Sequence, residues 1–301
     1  MSWRIIYASE VDKLSLHLHS LKVKKGDLEI KIPLSDIFAV VVEDLTANLT
    51  TRLLVELSRN NILVILCNQQ HLPECIIQPV SGHFGQYKQM VKQLSWEEDL
   101  KGTAWQSIIR YKIKNQIECM KKIGTSNHRL DKMVELGKNI TINDQTNIEG
   151  QAARIYFNSI FDGDFVRSNP NLVENAALNY GYAIFNAAIA RTIVAKGLIP
   201  ALGIYHKGER NHFNLASDII EPFRPIVDYF VSSKPPEIFL TKDYRVKLIN
   251  LLHTKILIDG KQQTVIRAIE IMIQSLFEFF ETGGKQQIKM PSLMKIKFYE
   301  L

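Results

Sequence analysis

The stretch PVSGHFGQYKQMVKQL (residues 79–94) divides the sequence, because apolar residues are spaced differently on its two sides. Pro79, Ser81 and Gly82 punctuate it and no apolar period runs through it, which predicts a linker or a loop leading into a helix. Lys88 and Lys92 within it read as solvated charges. Before it, over residues 1–78, the pattern is that of strands. In KLSLHLHSLKV (13–23), Leu14, Leu16 and Leu18 alternate with Ser15, His17 and His19, the period of a half-buried strand. Lys25-Gly26-Asp27 reads as a turn into a second alternation, Leu28, Ile30 and Ile32. IFAVVVED (37–44) and NILVILCN (61–68) suit buried strands, and residues 47–60 have helical spacing through Leu49, Leu53, Leu54 and Leu57. His17 and His19 share a strand face, but no acid or cysteine stands at matching spacing, so they read as solvated rather than metal-binding.

After residue 94 the period is helical. Ser95 and Glu98 have the spacing of a capping box ahead of Trp96, Leu100 and Trp105. Residues 104–123 set Ile108, Ile109, Ile113 and Ile117 among Arg110, Lys112, Lys114, Lys121 and Lys122, an amphipathic helix with a face suited to an acidic partner. The longest helix is predicted over 171–196, where many Ala and Gly residues permit close approach by its neighbours, and Gly197 and Pro200 end it. Pro235-Pro236 interrupts the pattern; helical spacing returns over 241–253 and 264–281, with a turn at Asp259-Gly260 between them. Lys285, Lys289, Lys295 and Lys297 make a basic tail free to move. The fold class is α+β: a small β-rich N-terminal domain (1–78), a linker (79–94) and a larger all-helical C-terminal domain (95–301).

Composition narrows the function. The 301 residues, 46% apolar and 23% charged, suffice for a buried core, and the net charge of +6 favours a polyanionic partner. Three cysteines, odd in number and without a CxxC pair, argue against a disulfide framework and a structural zinc site. No run of apolar residues is long enough to span a membrane. Met1 to Tyr7 leads straight into strand-like sequence, so no signal peptide is predicted and a cytoplasmic location follows.

Three segments put oxygen or nitrogen ligands beside tightly packed apolar sequence. In TNIEGQAARIYF (146–157), Glu149 follows Thr146 by three, as a capping glutamate does, yet it also lies on one helix face with Ala153, Tyr156 and Ile160. In GIYHKGERNHFNLASD (203–218), His206 sits in a short loop between helices, with His212 a weaker candidate of the same kind. In LASDIIEPFRPIVD (215–228), Asp218 and Glu221 are three apart and point the same way, so they repel unless a proton or cation separates them. Pro222 removes the N–H that the Asp218 carbonyl would accept and bends the chain there. Arg224, a further three on, is placed for an ion pair with Glu221. Glu149, His206 and Glu221, with Asp218 behind, make a set that suits Mg²⁺ or Mn²⁺ with open positions, and the basic balance suggests phosphodiester chemistry.

These motifs resemble those of the CRISPR-associated spacer integrase, the metal-dependent nuclease of the adaptation machinery. That family carries E-G-x-x-A-x-x-Y-[FW], a later His, and L-x-x-D-[LI]-x-E-x-F-R-P-x-x-D, which stand here as Glu149 to Phe157, His206, and Leu215 to Asp228. The compact length and LTTRLLVELSRNNILVILCN (49–68) look most like the type II branch. The resemblance implies that Glu149, His206 and Glu221 hold Mg²⁺ or Mn²⁺ and that Asp218 assists them. It implies attack by a 3′-hydroxyl of spacer-precursor DNA on a phosphodiester of the double-stranded CRISPR repeat, with Arg224, Lys207 and Arg210 as candidate DNA contacts. The implied partners are a second copy of the chain, joined through the β-rich domains, and a small second adaptation protein that bridges two such homodimers. In a type II system an RNA-guided effector nuclease and an accessory adaptation protein join them. The competing readings are a nuclease of branched DNA that integrates nothing, a non-catalytic nucleic-acid-binding scaffold, and an unrelated metallohydrolase of small substrates. The basic tail and the lack of a Gly-rich phosphate loop disfavour the last.

Overall fold

A computed structural model of the chain describes residues 4–80, 82–161 and 165–299. It divides into two compact units: residues up to Gln89 together with Ile193–Leu198, and Met90–Thr192 with Ile199 onward. In the first lie β1 (Arg4–Ala8), β2 (Lys13–His17), β3 (Ser20–Lys25), β4 (Leu28–Pro33), β5 (Ile37–Val42), β6 (Asn48–Leu49), α1 (Thr51–Arg59), β7 (Leu63–Cys67) and β8 (Pro73–Ile77). One sheet runs β1-β5-β7-β8, with β5 parallel to both its neighbours, and a second runs β4-β3-β2-β6. All six residues of β5 are buried, as a continuous apolar run in the middle of a parallel sheet requires. Leu14, Leu21, Ile37, Leu53, Leu57 and Val64 share one core cluster.

KLSLHLHSLKV folds as a hairpin rather than one strand. His17 pairs with Ser20, leaving Leu18 and His19 as a two-residue turn in which Leu18 takes φ 54° and faces solvent. Its alternation survives because Leu16 pairs with Leu21 across the turn. His17 and His19 therefore do not share a strand face, and both are exposed. Leu49 lies in β6, and α1 starts only after Thr50, whose side chain accepts from the Leu53 N–H.

The predicted linker contains α2 (Gln86–Leu94). The second unit is largely helical, with α3 (Glu98–Ile123), α4 (Asn127–Lys138), α5 (Ile148–Ile160), most of α6 (Val173–Ala195), α7 (Asn214–Ile219), α8 (Arg224–Ser233) and α9 (Lys242–Asn250). It continues with β9 (Lys255–Ile258), β10 (Lys261–Thr264), α10 (Val265–Glu281) and β11 (Ser292–Lys297). The longest of these is α3, with 26 residues against 23 in α6. The capping box ahead of α3 does not form: Glu97 takes the N-cap position, and the Ser95 hydroxyl instead donates to the Lys92 carbonyl at the end of α2. Close approach along α6 is real, since a Cβ on Gly181 would lie 2.5 Å from Val227 Cγ1 of α8.

"All-helical" narrows to "largely helical" because β10, β9 and β11 form a three-stranded sheet, with the predicted Asp259-Gly260 turn joining the first two. The basic tail is held rather than free. β11 pairs with β9, Leu293 is fully buried and Lys289 Nζ lies 2.8 Å from Asp259. No helix among the described residues is long and apolar enough to cross a membrane.

Candidate active site

The start of α5 explains why Glu149 is not spent on capping. Asn147 is the N-cap and accepts from Gly150 N, while Asp144 accepts from both Ile148 N (2.8 Å) and Glu149 N (2.9 Å). With the first-turn donors satisfied by other side chains, the Glu149 carboxylate is available, and its Oε1 lies 2.5 Å from Lys112 Nζ. Lys112 reaches it from the buried face of α3, where Trp105, Ile108, Lys112, Asn115 and Cys119 succeed one another at helical spacing.

Residues 218–225 bend as the missing N–H of Pro222 predicts. α7 stops at Ile219, a 3₁₀ turn spans Glu221–Phe223, and α8 begins at Arg224 with Pro225 in its first turn. Ile220 O accepts from both Phe223 N and Arg224 N, and Asn115 Nδ2 of α3 donates to Pro222 O at 2.8 Å. The bend delivers Glu221, 4% exposed, to a place between two cations. Its Oε1 accepts from Arg224 Nε at 2.7 Å and its Oε2 lies 2.5 Å from Lys112 Nζ. The second contact is an ion pair.

Although Asp218 and Glu221 are close in sequence, they have different partners. Asp218 is completely buried and organises the His206 loop: its Oδ2 accepts from Ile204 N and Tyr205 N, and its Oδ1 from His206 N. The same Oδ1 lies 2.6 Å from His206 Nδ1. Gly203 makes this loop possible, because a Cβ there would lie 2.2 Å from His206 O and 2.9 Å from Asp218 Oδ2. Trp105 stacks on Tyr205 and meets the His206 ring edge-on, fixing the imidazole plane.

Electrostatics couples these groups. The hydrogen bond that His206 donates to Asp218 raises the His206 pKa, burial opposes it, and the charges of Asp218, Glu221 and Glu149 add to the rise. Burial alone would push Glu221 up; Lys112 and then Arg224 overcome that and hold it at about 2. Lys112 is likewise penalised by burial and ends with a raised pKa because Glu221 and Glu149 face it.

Behind Arg224, whose guanidinium lies 4.4 Å over the Tyr182 ring, the Tyr182 hydroxyl donates to buried Asp228. Burial lifts the Asp228 pKa from 3.8 to about 6 against that hydrogen bond. The folded protein therefore holds this proton to higher pH than the unfolded chain. Its contribution to stability is complete below about pH 4 and lost by about pH 6, a decline of about 3 kcal/mol. Denaturant titrations at pH 4.5 and 7.5 should show the decline flattened in Asp228→Asn, and equal slopes in the two proteins would assign it to another group.

Of the candidate DNA contacts, Arg224 is engaged with Glu221, and Lys207 Nζ lies 3.0 Å from Glu98 Oε2. Arg210 is exposed. A cavity of about 410 Å³ opens beside the site, with Lys101, Gly203, His206, Lys207 and His212 among its lining residues.

Residues 6–248 match the model of the family described as "CRISPR associated protein Cas1". The chain belongs to the Cas1 family. The CRISPR-associated endonuclease Cas1 of Neisseria meningitidis serogroup C (strain 8013) is 34% identical over 304 residues, spanning 100% of this chain and 99% of that one. Among solved structures, TM1797, a CAS1 protein from Thermotoga maritima, superposes with a TM-score of 0.75 at 17% identity, covering 95% of this chain and 98% of that one. A casposase bound to integration product gives a TM-score of 0.71 at 19% identity, covering 100% of this chain and 95% of that one. At these identities the two structural likenesses are of fold.

The donors of this Cas1 chain fit a divalent cation. Glu149 Oε1 and Glu221 Oε2 lie at the same distance from one ammonium nitrogen, and an ion with oxygen ligands at about 2.1 Å asks for much the same point. His206 Nδ1 is taken by Asp218, which leaves Nε2 to ligate, the arrangement usual for a metal-binding histidine. Among the described residues no three His, Cys, Asp or Glu side chains meet at one point, and the position between Glu149 and Glu221 is held by Lys112 Nζ. Lys112 and Asn115 are what sequence reasoning missed. Both sit among the buried apolar residues of α3, where spacing alone reads as an ordinary amphipathic helix.

Proposed function

We propose that this chain is a metal-dependent DNA endonuclease and integrase of CRISPR adaptation that joins spacer DNA to the repeat by transesterification. The observation that carries the reading is the convergence of Glu149 and Glu221 on one cation position, that of Lys112 Nζ. Glu149, Glu221 and His206 Nε2 would hold Mg²⁺ or Mn²⁺, which supplies Lewis-acid stabilisation of the charge that builds on the target phosphate. Asp218 holds the imidazole in the tautomer with its proton on Nδ1 and keeps the ring oriented; Arg224 fixes the Glu221 carboxylate. A 3′-hydroxyl of the incoming DNA attacks the phosphorus, one P–O bond forms and another breaks, and the displaced 3′-oxygen takes up a proton. The cavity beside His206, with Lys101 and Lys207 on its wall, offers room for a DNA end.

The reading includes partners. A homodimer through the β-rich unit is supported by β4, an edge strand whose Leu28 and Ile30 are exposed. The Cas1 family supports a small second adaptation protein bridging two dimers, and duplex DNA as spacer precursor and repeat. The type II branch, with its effector nuclease and accessory protein, is consistent with the full-length match to the Neisseria relative.

Strand transfer tests this directly. The protein, the second adaptation protein, a short duplex with free 3′-hydroxyls and a supercoiled plasmid bearing leader and repeat are incubated with Mg²⁺ or Mn²⁺. Joined product is expected from wild type, lost with EDTA and with His206→Ala. Joining that survives both would place the chemistry elsewhere in the chain. Cutting of branched DNA without joining would favour the plain nuclease, and neither activity would favour the scaffold.

A further inference from the structure

The proposed reaction gives Lys112 no role, yet burying its charge beside the site is costly. The residue is 8% exposed, and its ammonium lies 2.5 Å from oxygens of two acids brought by separate segments, α5 and the 221–223 turn. A buried ammonium is tolerated only when paired, and here the pairing is double. Arg224 holds the other oxygen of Glu221, so two carboxylates are balanced by two cations. A divalent ion added to that cluster makes it strongly positive in a buried place, and it needs the point where the Lys112 nitrogen sits. The two cations exclude each other by volume and by charge.

We infer that Lys112 is an internal counter-ion, which holds Glu149 and Glu221 together and yields its place to the divalent cation. This rests on the reading of the two acids as metal ligands. Lys112 is then a positioning residue: it keeps the carboxylates close against their repulsion, and its flexible four-carbon stem lets the ammonium swing aside without moving α3. The arrangement also sets a threshold, since the metal binds only after displacing an ion pair.

Two measurements on the full-length protein test it. In the first, Mn²⁺ uptake is titrated by the electron paramagnetic resonance of the free ion, for wild type and Lys112→Met. The variant, having no ammonium to displace, should bind about tenfold more tightly, the factor that corresponds to about 1.4 kcal/mol. Its melting temperature in EDTA should fall and recover more on adding Mn²⁺ than that of wild type. The second needs no variant: Lys112 of wild type is acylated by an amine-directed reagent in EDTA or saturating Mn²⁺ and read by mass spectrometry. Its labelling should rise several-fold with Mn²⁺ while exposed lysines stay constant. Mn²⁺ affinity equal to or weaker than wild type in the variant, or Lys112 labelling unchanged while Mn²⁺ is bound, overturns the inference and leaves the metal site standing. No Mn²⁺ uptake by wild type removes the metal-site reading and this inference with it.

Discussion

Glu221→Gln is expected to lower strand transfer by on the order of a thousand-fold, because it removes a carboxylate from the proposed metal site and several kcal/mol of charge stabilisation with it. The same change should reach stability. Glu221 is buried and answers both Lys112 and Arg224, and removing one member of such a cluster leaves buried charge uncompensated, at a cost of about 3–5 kcal/mol. The two effects separate experimentally. Circular dichroism at the assay temperature gives the folded fraction, and transfer is normalised to it. A variant that stays folded and retains transfer within about tenfold of wild type would remove Glu221 from the chemistry.

Asp218→Asn should cost nearly as much by a different route. The carboxylate accepts from three backbone N–H groups and faces the His206 ring, so an amide in its place sets an NH₂ group against donors. About 3 kcal/mol of stability should go with the unmade hydrogen bonds. With His206 no longer oriented, Mn²⁺ affinity should fall by roughly 10–100-fold and transfer with it. An Asp218→Asn protein with wild-type Mn²⁺ affinity would show that the ring needs no such support. His206→Asn in the same titration serves as the reference for losing the imidazole altogether.

Much of this was legible before the structure. IFAVVVED and NILVILCN became β5 and β7 because a strand buried on both faces must be apolar throughout. The bend at Pro222 followed from one missing donor. The second unit's small sheet was hidden because β9 has four residues and β10 reads Lys-Gln-Gln-Thr, too short and too polar for a period to register. Asn147 and Asp144 took the capping role that spacing gave to Glu149, since several nearby acceptors compete for the same N–H groups and only the fold selects among them. Lys112 was hidden for a related reason. A lysine among isoleucines on an amphipathic helix is ordinary, and only the three-dimensional meeting of α3, α5 and the 221–223 turn shows that it points inward. The separate destinations of Asp218 and Glu221 likewise depend on a bend whose direction spacing does not encode.

Asn115 joins parts of the chain that are made far apart in time. Its amide nitrogen holds the carbonyls of Pro222 and Pro291, and its oxygen accepts from Leu293 N. The turn that carries Glu221 thus shares a fastening with the segment leading into β11, which is synthesised well after it. A chain cut short before residue 291 has every proposed ligand and lacks the buttress for the turn that presents one of them.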